Sequence, residues 1–439
     1  MGAYEDTIAY LAALEVTVGW DLKLERMREA LARRGHPEAA FPAFHVAGTN
    51  GKGSTAAMLD AVLRAAGYRT GLYTSPHLVD FAERIRIDGG TIPRSTVVAL
   101  VAELRADLEA AGIALTHFEF ATLLACEWFR QVGVEVGVIE VGLGGRLDAT
   151  NLVRPIVSCI TSIGHDHEAY LGHDLRDIAG EKAGILKPGV PLALGPTPPE
   201  AETVIRRRAA EVGAPVTRAG IDARIEEGPR DLTFRAPGVV WDGLQLGLPG
   251  GFQRDNAGVA LTALALGRGR FPCGPEAVRR GLATVVWPGR LACVREHPLV
   301  LLDGAHNPEG IAALAAELPA LVGGRRVVLL FAVMADKAWR EMLGRLVPQV
   351  AAAIVTRVGR RGLAPDVLAA GCAGHVPVEP IEDARAALRA ALSRAGPHDV
   401  VLVTGSLFLV GEAYAELREG AALFEPWHEQ GSGGTEAHL

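Results

Sequence analysis

One stretch near the N-terminus limits what this chain can fold into more than any other. Ala43–Ala47 (AFHVA) is apolar enough for a strand buried on both faces, and it runs into Gly48-Thr49-Asn50-Gly51-Lys52-Gly53. A helix is predicted over 54–66, closed by Gly67. A strand, a glycine-rich turn and an Ala/Leu-rich helix form the repeating unit of a parallel α/β sheet. The rhythm returns at Val136–Glu140 and at 155–163 (PIVSCITSI), which ends in Gly164-His165-Asp166-His167. It resumes near 295, with strands predicted at 299–303, Val327–Phe331, 353–356 and Val400–Thr404.

Residues 196–250 break the pattern. Segments 230–235 and 244–248 alternate apolar with polar residues, which predicts a small antiparallel patch. A division near 290–298, by Pro288-Gly289 and His297-Pro298, gives an ATP-binding domain of residues 1–294 and a second domain of 298–439. Residues 430–439, with Gln430-Gly431-Ser432-Gly433-Gly434, read as a flexible tail. A chain of 439 residues fits this division into more than one domain.

Composition narrows the function. Hydrophobic residues make up 49% and charged residues 22%, so a sizeable core is expected, yet no apolar run is long enough for a membrane helix. The start, MGAYEDTIAY, lacks the basic and apolar regions of a signal peptide, and Asp6 spoils a myristoylation pattern. The net charge of −7 comes with no basic stripe, so no nucleic-acid partner is expected. The five cysteines (Cys126, Cys159, Cys273, Cys293 and Cys372) show neither zinc nor disulfide spacing, which fits a reducing, cytoplasmic setting. Basic residues are almost all arginine. The five lysines are Lys23, Lys52, Lys182, Lys187 and Lys337, and a lysine kept against that bias suits a site needing a compact charge or a reactive amine.

Ligands of open α/β sheets sit beyond the carboxyl ends of strands. Gly48–Ser54 followed by Thr55 has the context of a phosphate loop: glycine N–H groups and a helix N-terminus face the phosphates, and Lys52 reaches the terminal ones. The match to G-x-x-x-x-G-K-[ST] is imperfect, with Val46 at the first position and Gly53 between Lys52 and Ser54, so a glycine turn with a stray lysine stays open. Glu140 ends its strand where Mg²⁺ is commonly held, or else is a helix-capping or salt-bridged carboxylate. His167 is either a metal ligand or structural, since Mg²⁺ prefers oxygen. Lys182, in an apolar setting, is either a lysine desolvated enough to take up CO₂ as a carbamate or the partner of an acid such as Glu181.

HVAGTNGKGST (45–55), YTSPHL (73–78), EVGLGGRLDATN (140–151), DH (166–167), EKAGI (181–185), FQRDNA (252–257), PGRL (288–291), DGAHNP (303–308) and TGSL (404–407) occur together and in order. The set resembles the folylpolyglutamate synthase/dihydrofolate synthase family of Mur-type ATP-dependent amide ligases, over nearly the whole chain. The resemblance implies an α/β protein: a P-loop, Mur-ligase-type parallel-sheet domain followed by a smaller C-terminal Rossmann-like domain. It implies ATP-driven addition of L-glutamate to folate or dihydropteroate through an acyl phosphate, by a monomer. Carried over by motif, Gly48, Thr49, Asn50, Gly51, Lys52, Gly53 and Ser54 would hold ATP phosphates, and Asn256, Arg290, Asp303 and His306 would lie at ATP. Ser75, Glu140, His167 and a carbamylated Lys182 would serve two Mg²⁺ ions, with Lys182, Lys52 and His167 closest to the chemistry. Thr116, Phe118 and Glu119, with Leu147, Asp148 and Ala149, would meet the pterin-bearing substrate. Competing readings are a cell-wall ligase acting on a UDP-sugar, disfavoured by YTSPHL and EVGLGGRLDATN, and a nucleotide switch that joins nothing.

Overall fold

A computed structural model describes residues 2–18, 23–419 and 422–428; the expected tail at 430–439 lies outside the described residues. The first sheet contains β1 (Ala43–Ala47), β2 (Thr70–Tyr73), β3 (Ile85–Ile87), β4 (Gly90–Thr91), β5 (Val136–Glu140), β6 (Pro155–Ile160), β7 (Leu192–Leu194) and β8 (Val216–Arg218). Their order is β4-β3-β2-β5-β1-β6-β7-β8, and only β3 and β4 run antiparallel to their neighbours. β1 and β5 are buried along their whole length because helices cover both faces. Phe44 and Val46 of β1 meet the helices Lys52–Ala65 and Gln253–Gly267 in one core. Ala43 points the other way, into a core shared with Tyr73, Ile139 and the helix His117–Val132.

The antiparallel patch exists as β9 (Arg224–Glu227), β10 (Leu232–Ala236) and β11 (Val239–Leu244). Phe234 and Trp241 stack across it at 5.4 Å and join it to the first core. The strand expected at 244–248 does not form. The ladder ends at Leu244, and Gly247 N–H donates instead to the Leu282 carbonyl at 2.8 Å, drawing that segment onto the helix Pro275–Thr284.

The second sheet holds β12 (Ala292–Glu296), β13 (Leu299–Leu302), β14 (Val327–Phe331), β15 (Ala352–Val355), β16 (Val378–Pro380) and β17 (Val400–Thr404), in the order β12-β13-β17-β14-β15-β16. Alternate residues of its central strands feed two cores: Leu329, Phe331 and Leu402 on one face, Val328, Leu330 and Val401 on the other. His297-Pro298, taken from sequence as a mark of the domain division, is the turn of the β12–β13 hairpin, so residues 292–294 already belong to the second sheet. The chain changes sheets before Ala292, through Pro288-Gly289. Residues 422–428 then return to the first sheet. Thr91 N–H donates to the Glu425 carbonyl at 2.9 Å, and Trp427 N–H to the Thr91 carbonyl at 2.8 Å.

Candidate active site

The carboxyl ends of β1, β5 and β6 converge, and the phosphate loop occupies their centre. Its helix begins at Lys52 rather than Ser54, so Lys52 and Gly53 are already helical. Gly51 at φ 83° supplies the left-handed turn into that helix, and a side chain there would strike Asn256 Oδ1. Asn256, expected near ATP, therefore packs directly on the loop. Thr161 Oγ1 donates to the Asn50 carbonyl at 2.6 Å, and Thr49 Oγ1 donates to the Gly164 carbonyl at 3.1 Å, fixing the loop to the end of β6.

Two lysines meet on this loop. Lys52 Nζ donates to the carbonyls of Gly48 and Thr49, each at 3.1 Å, and Lys182 Nζ donates to Gly48 at 3.0 Å. Burial lowers the pKa of Lys52. Burial, and then the charge of Lys52, lowers that of Lys182 to about 7. The ion pair offered above for Lys182 with Glu181 is absent: Glu181 binds Arg146 instead, at 2.8 Å.

Glu140 is buried at the end of β5, where burial raises its pKa against the pull of Lys52. Among the described residues, its one hydrogen bond comes from Ser75 N–H at 3.1 Å. His167 turns through a left-handed conformation (φ 53°), and burial lowers its pKa to about 4, so its imidazole is neutral near pH 7. A buried carboxylate with a single main-chain donor, a serine beside it and a neutral imidazole are fitting ligands for a hard divalent ion with one nitrogen ligand. No group of three or more His, Cys, Asp or Glu side chains is already gathered as a metal cage among the described residues. Gly53, Ser75, Glu140 and Arg290 do line one cavity of about 40 Å³, together with Trp287, Leu407 and Phe424.

The second sheet supplies the opposite wall. Asp303, at the end of β13, is buried, which raises its pKa; its carboxylate accepts N–H groups of Leu291 at 3.0 Å and Ala305 at 2.9 Å, shaping the turn that carries Arg290. His306 Nδ1 bonds to the Gly304 carbonyl at 2.8 Å, and its Nε2 lies 3.5 Å from Asp166. Asp166 is the hub of the junction. It pairs with Lys337, accepts from Asn307 Nδ2 at 3.1 Å and from His167 N–H at 2.9 Å. Burial works against its anion, but His306, His167 and Lys337 outweigh burial and hold the carboxyl well below the usual carboxylate range. Asn50 and Asn307 exchange amide hydrogen bonds at 3.2 and 3.0 Å. Asp166 and Asn307 fall inside the sequence motifs and Lys337 is one of the five lysines, but the sequence assigns none of them a role; the ion pair spans 171 residues.

The expected pterin segments also come together. Phe118 lies over Gly142, where a Cβ would overlap its ring, and 6.0 Å from the Tyr73 ring. Asp148 accepts from Leu143 N–H at 2.8 Å and from Thr150 N–H at 3.0 Å, so Leu147, Asp148 and Ala149 form a turn facing that segment; burial raises the pKa of Asp148. Thr116 and Glu119 form a capping box on the helix His117–Val132, and Arg26 Nε donates to both Glu119 oxygens at 2.9 and 2.7 Å. Glu119 is thus held by the fold.

The two sheets meet beside the phosphate loop, and family models place both parts among the Mur-type ligases: "Mur ligase middle domain" matches residues 46–264 and "Mur ligase, glutamate ligase domain" matches 289–407. The dihydrofolate synthase/folylpolyglutamate synthase of Bacillus subtilis is 37% identical over 95% of this chain and 99% of its own length. The folylpolyglutamate synthase of Lacticaseibacillus casei is 34% identical over the same shares. Escherichia coli FolC, solved with DHPP and ADP, superposes with a TM-score of 0.87 at 35% identity, covering 94% of this chain and 98% of that one. A Yersinia pestis bifunctional enzyme solved with AMPPNP and a Mn ion has a TM-score of 0.84, at 35% identity over 94% of this chain and 98% of its own. This chain belongs to the folylpolyglutamate synthase/dihydrofolate synthase family.

Proposed function

We propose that this chain uses ATP to phosphorylate a carboxylate of folate or dihydropteroate and joins L-glutamate to it. It is an ATP-dependent acid–amino-acid ligase. The observation that carries the reading is the junction itself: Asn50 of the phosphate loop and Asp166 beyond β6 both bond Asn307 of the second sheet's turn, while Lys182 bonds the same loop at Gly48. A carboxylate is a poor electrophile because its leaving group would be oxide. Transfer of the γ-phosphoryl group to a carboxylate oxygen makes that oxygen a leaving group. The glutamate amine then attacks the carbonyl carbon, and the tetrahedral intermediate expels inorganic phosphate with loss of the amine proton.

The resident groups have separable tasks. Lys52 and the loop N–H groups hold the phosphates, and Arg290 approaches from the second sheet. Ser75, Glu140 and His167 would hold Mg²⁺, which when bound offsets charge between phosphate and carboxylate. We assign Lys182 a carbamate, belonging to a second ion site. Its amine is buried, loses its proton near neutrality and shares an acceptor with Lys52. A carbamate would turn that lysine–lysine repulsion into attraction. The aromatic wall of Phe118 suits a pteridine ring, with Thr116 and the turn at Leu147-Asp148-Ala149 beside it. A substrate panel tests this reading: dihydropteroate, tetrahydrofolate and a UDP-muramyl peptide, each with ATP and labelled glutamate. Label should enter the pterin compounds; incorporation into the UDP-sugar alone would refute it.

A further inference from the structure

Arg86, on β3, is 4% exposed; its main chain pairs with Leu72 and Thr91 in the sheet, while its side-chain Nε is buried and, among the described residues, has no hydrogen-bond partner. Its guanidinium lies between two aromatic rings instead, 4.8 Å from the centroid of Trp287 and 4.1 Å from that of Phe424. Burial lowers its pKa to about 10, which still leaves it charged at neutral pH. Burial of a cation is costly; Asp60 and Glu83 pull against that cost through space, and the two ring faces lie directly against the guanidinium.

Both rings lead to the site. Trp287 lies so close to Gly53 that a Cβ there would come within 2.9 Å of the indole nitrogen. Trp287 and Phe424 both line the cavity that holds Ser75, Glu140 and Arg290. Trp287 also directly precedes Pro288-Gly289-Arg290, so its setting fixes where Arg290 begins. Phe424 belongs to the returning segment 422–428, which is anchored by the two Thr91 hydrogen bonds and by Trp427 against Trp128 at 5.7 Å.

We infer that the C-terminal segment is a working part of the nucleotide site: Phe424 holds Arg86, Arg86 holds Trp287, and Trp287 seats the phosphate loop at Gly53. The three act as positioning residues, each through the next. The arrangement ties segment 422–428 to the loop while both sheets bound the same cavity. This inference rests on the ligase reading above and adds the element that sets the loop.

The test is Phe424→Ala in the full chain, with Phe424→Tyr as rescue, measuring kcat, KM for ATP, KM for folate and Tm. Loss of one half-buried cation–π contact predicts a roughly five-fold higher KM for ATP with KM for folate unchanged. Phe424→Tyr should restore the ATP value, since the ring face is kept. A fall in Tm with both KM values unchanged would show a merely structural contact and overturn the inference, as would equal rises in both KM values. Should Phe424→Ala be insoluble, Phe424→Leu keeps bulk, removes the ring and is read by the same outcomes. Wild-type protein that joins no glutamate would defeat the ligase reading instead, so the two failures are distinguishable.

Discussion

His45 gives this fold a calculable acid sensitivity. It stands in the middle of β1 with no exposed surface, its Nε2 bonded to Thr150 Oγ1 at 2.9 Å and its Nδ1 buried without a partner among the described residues. Burial, with a smaller push from Lys187, lowers its pKa from 6.5 to about 3. The folded state therefore refuses a proton that the unfolded chain accepts. Stability from this group is complete above about pH 6.5 and is lost as pH falls toward 3. Integrating the linkage relation gives about 2 kcal/mol lost between pH 7.5 and 5. Thr150 also donates to Asp148, which links His45 to the proposed pterin turn. Urea unfolding of wild type and His45→Gln at pH 7.5, 6 and 5 measures the effect. The variant pays a fixed packing cost but should lose about 2 kcal/mol less than wild type over that range. Equal losses would refute the assignment of a neutral, desolvated imidazole.

Other consequences follow from the site. Lys182→Arg should leave Tm within a few degrees of wild type yet reduce kcat at least about 100-fold, because a guanidinium stays protonated and takes up no CO₂; full turnover would exclude the carbamate. Asp166→Asn strands the buried Lys337 ammonium, a loss of about 3–5 kcal/mol if the junction stays shut. Its kcat/KM for ATP should fall at least tenfold, and Lys337→Met in the same chain should recover part of the loss; additive losses in the double variant would contradict a direct pair.

The parallel-sheet architecture was legible because its central strands are buried on both faces and read as unbroken apolar runs. Alternation alone misled at 244–248: Leu244, Leu246 and Leu248 recur with a period of two, yet the segment leaves the ladder to pack on a helix. β7 and β8 have three residues each, too few for a periodic signal, and β8 is only half-buried. Residues within the motifs could be named from sequence, and the structure gathers most of them around one junction. Partnerships across the sheets could not be read, since nothing local to Asp166 announces Lys337. Trp287 and Phe424 belong to no chemical motif, and Arg86 shows its purpose only through the two rings that flank it.

The central claim is that a substrate carboxylate is phosphorylated before the amine arrives, and oxygen tracing tests it most directly. Folate carrying ¹⁸O in its carboxylates is turned over with ATP and glutamate, and the phosphate released is examined by mass spectrometry. One ¹⁸O per phosphate is the predicted result, since the activated oxygen departs with phosphorus. Phosphate containing only oxygen from ATP and water would contradict the account.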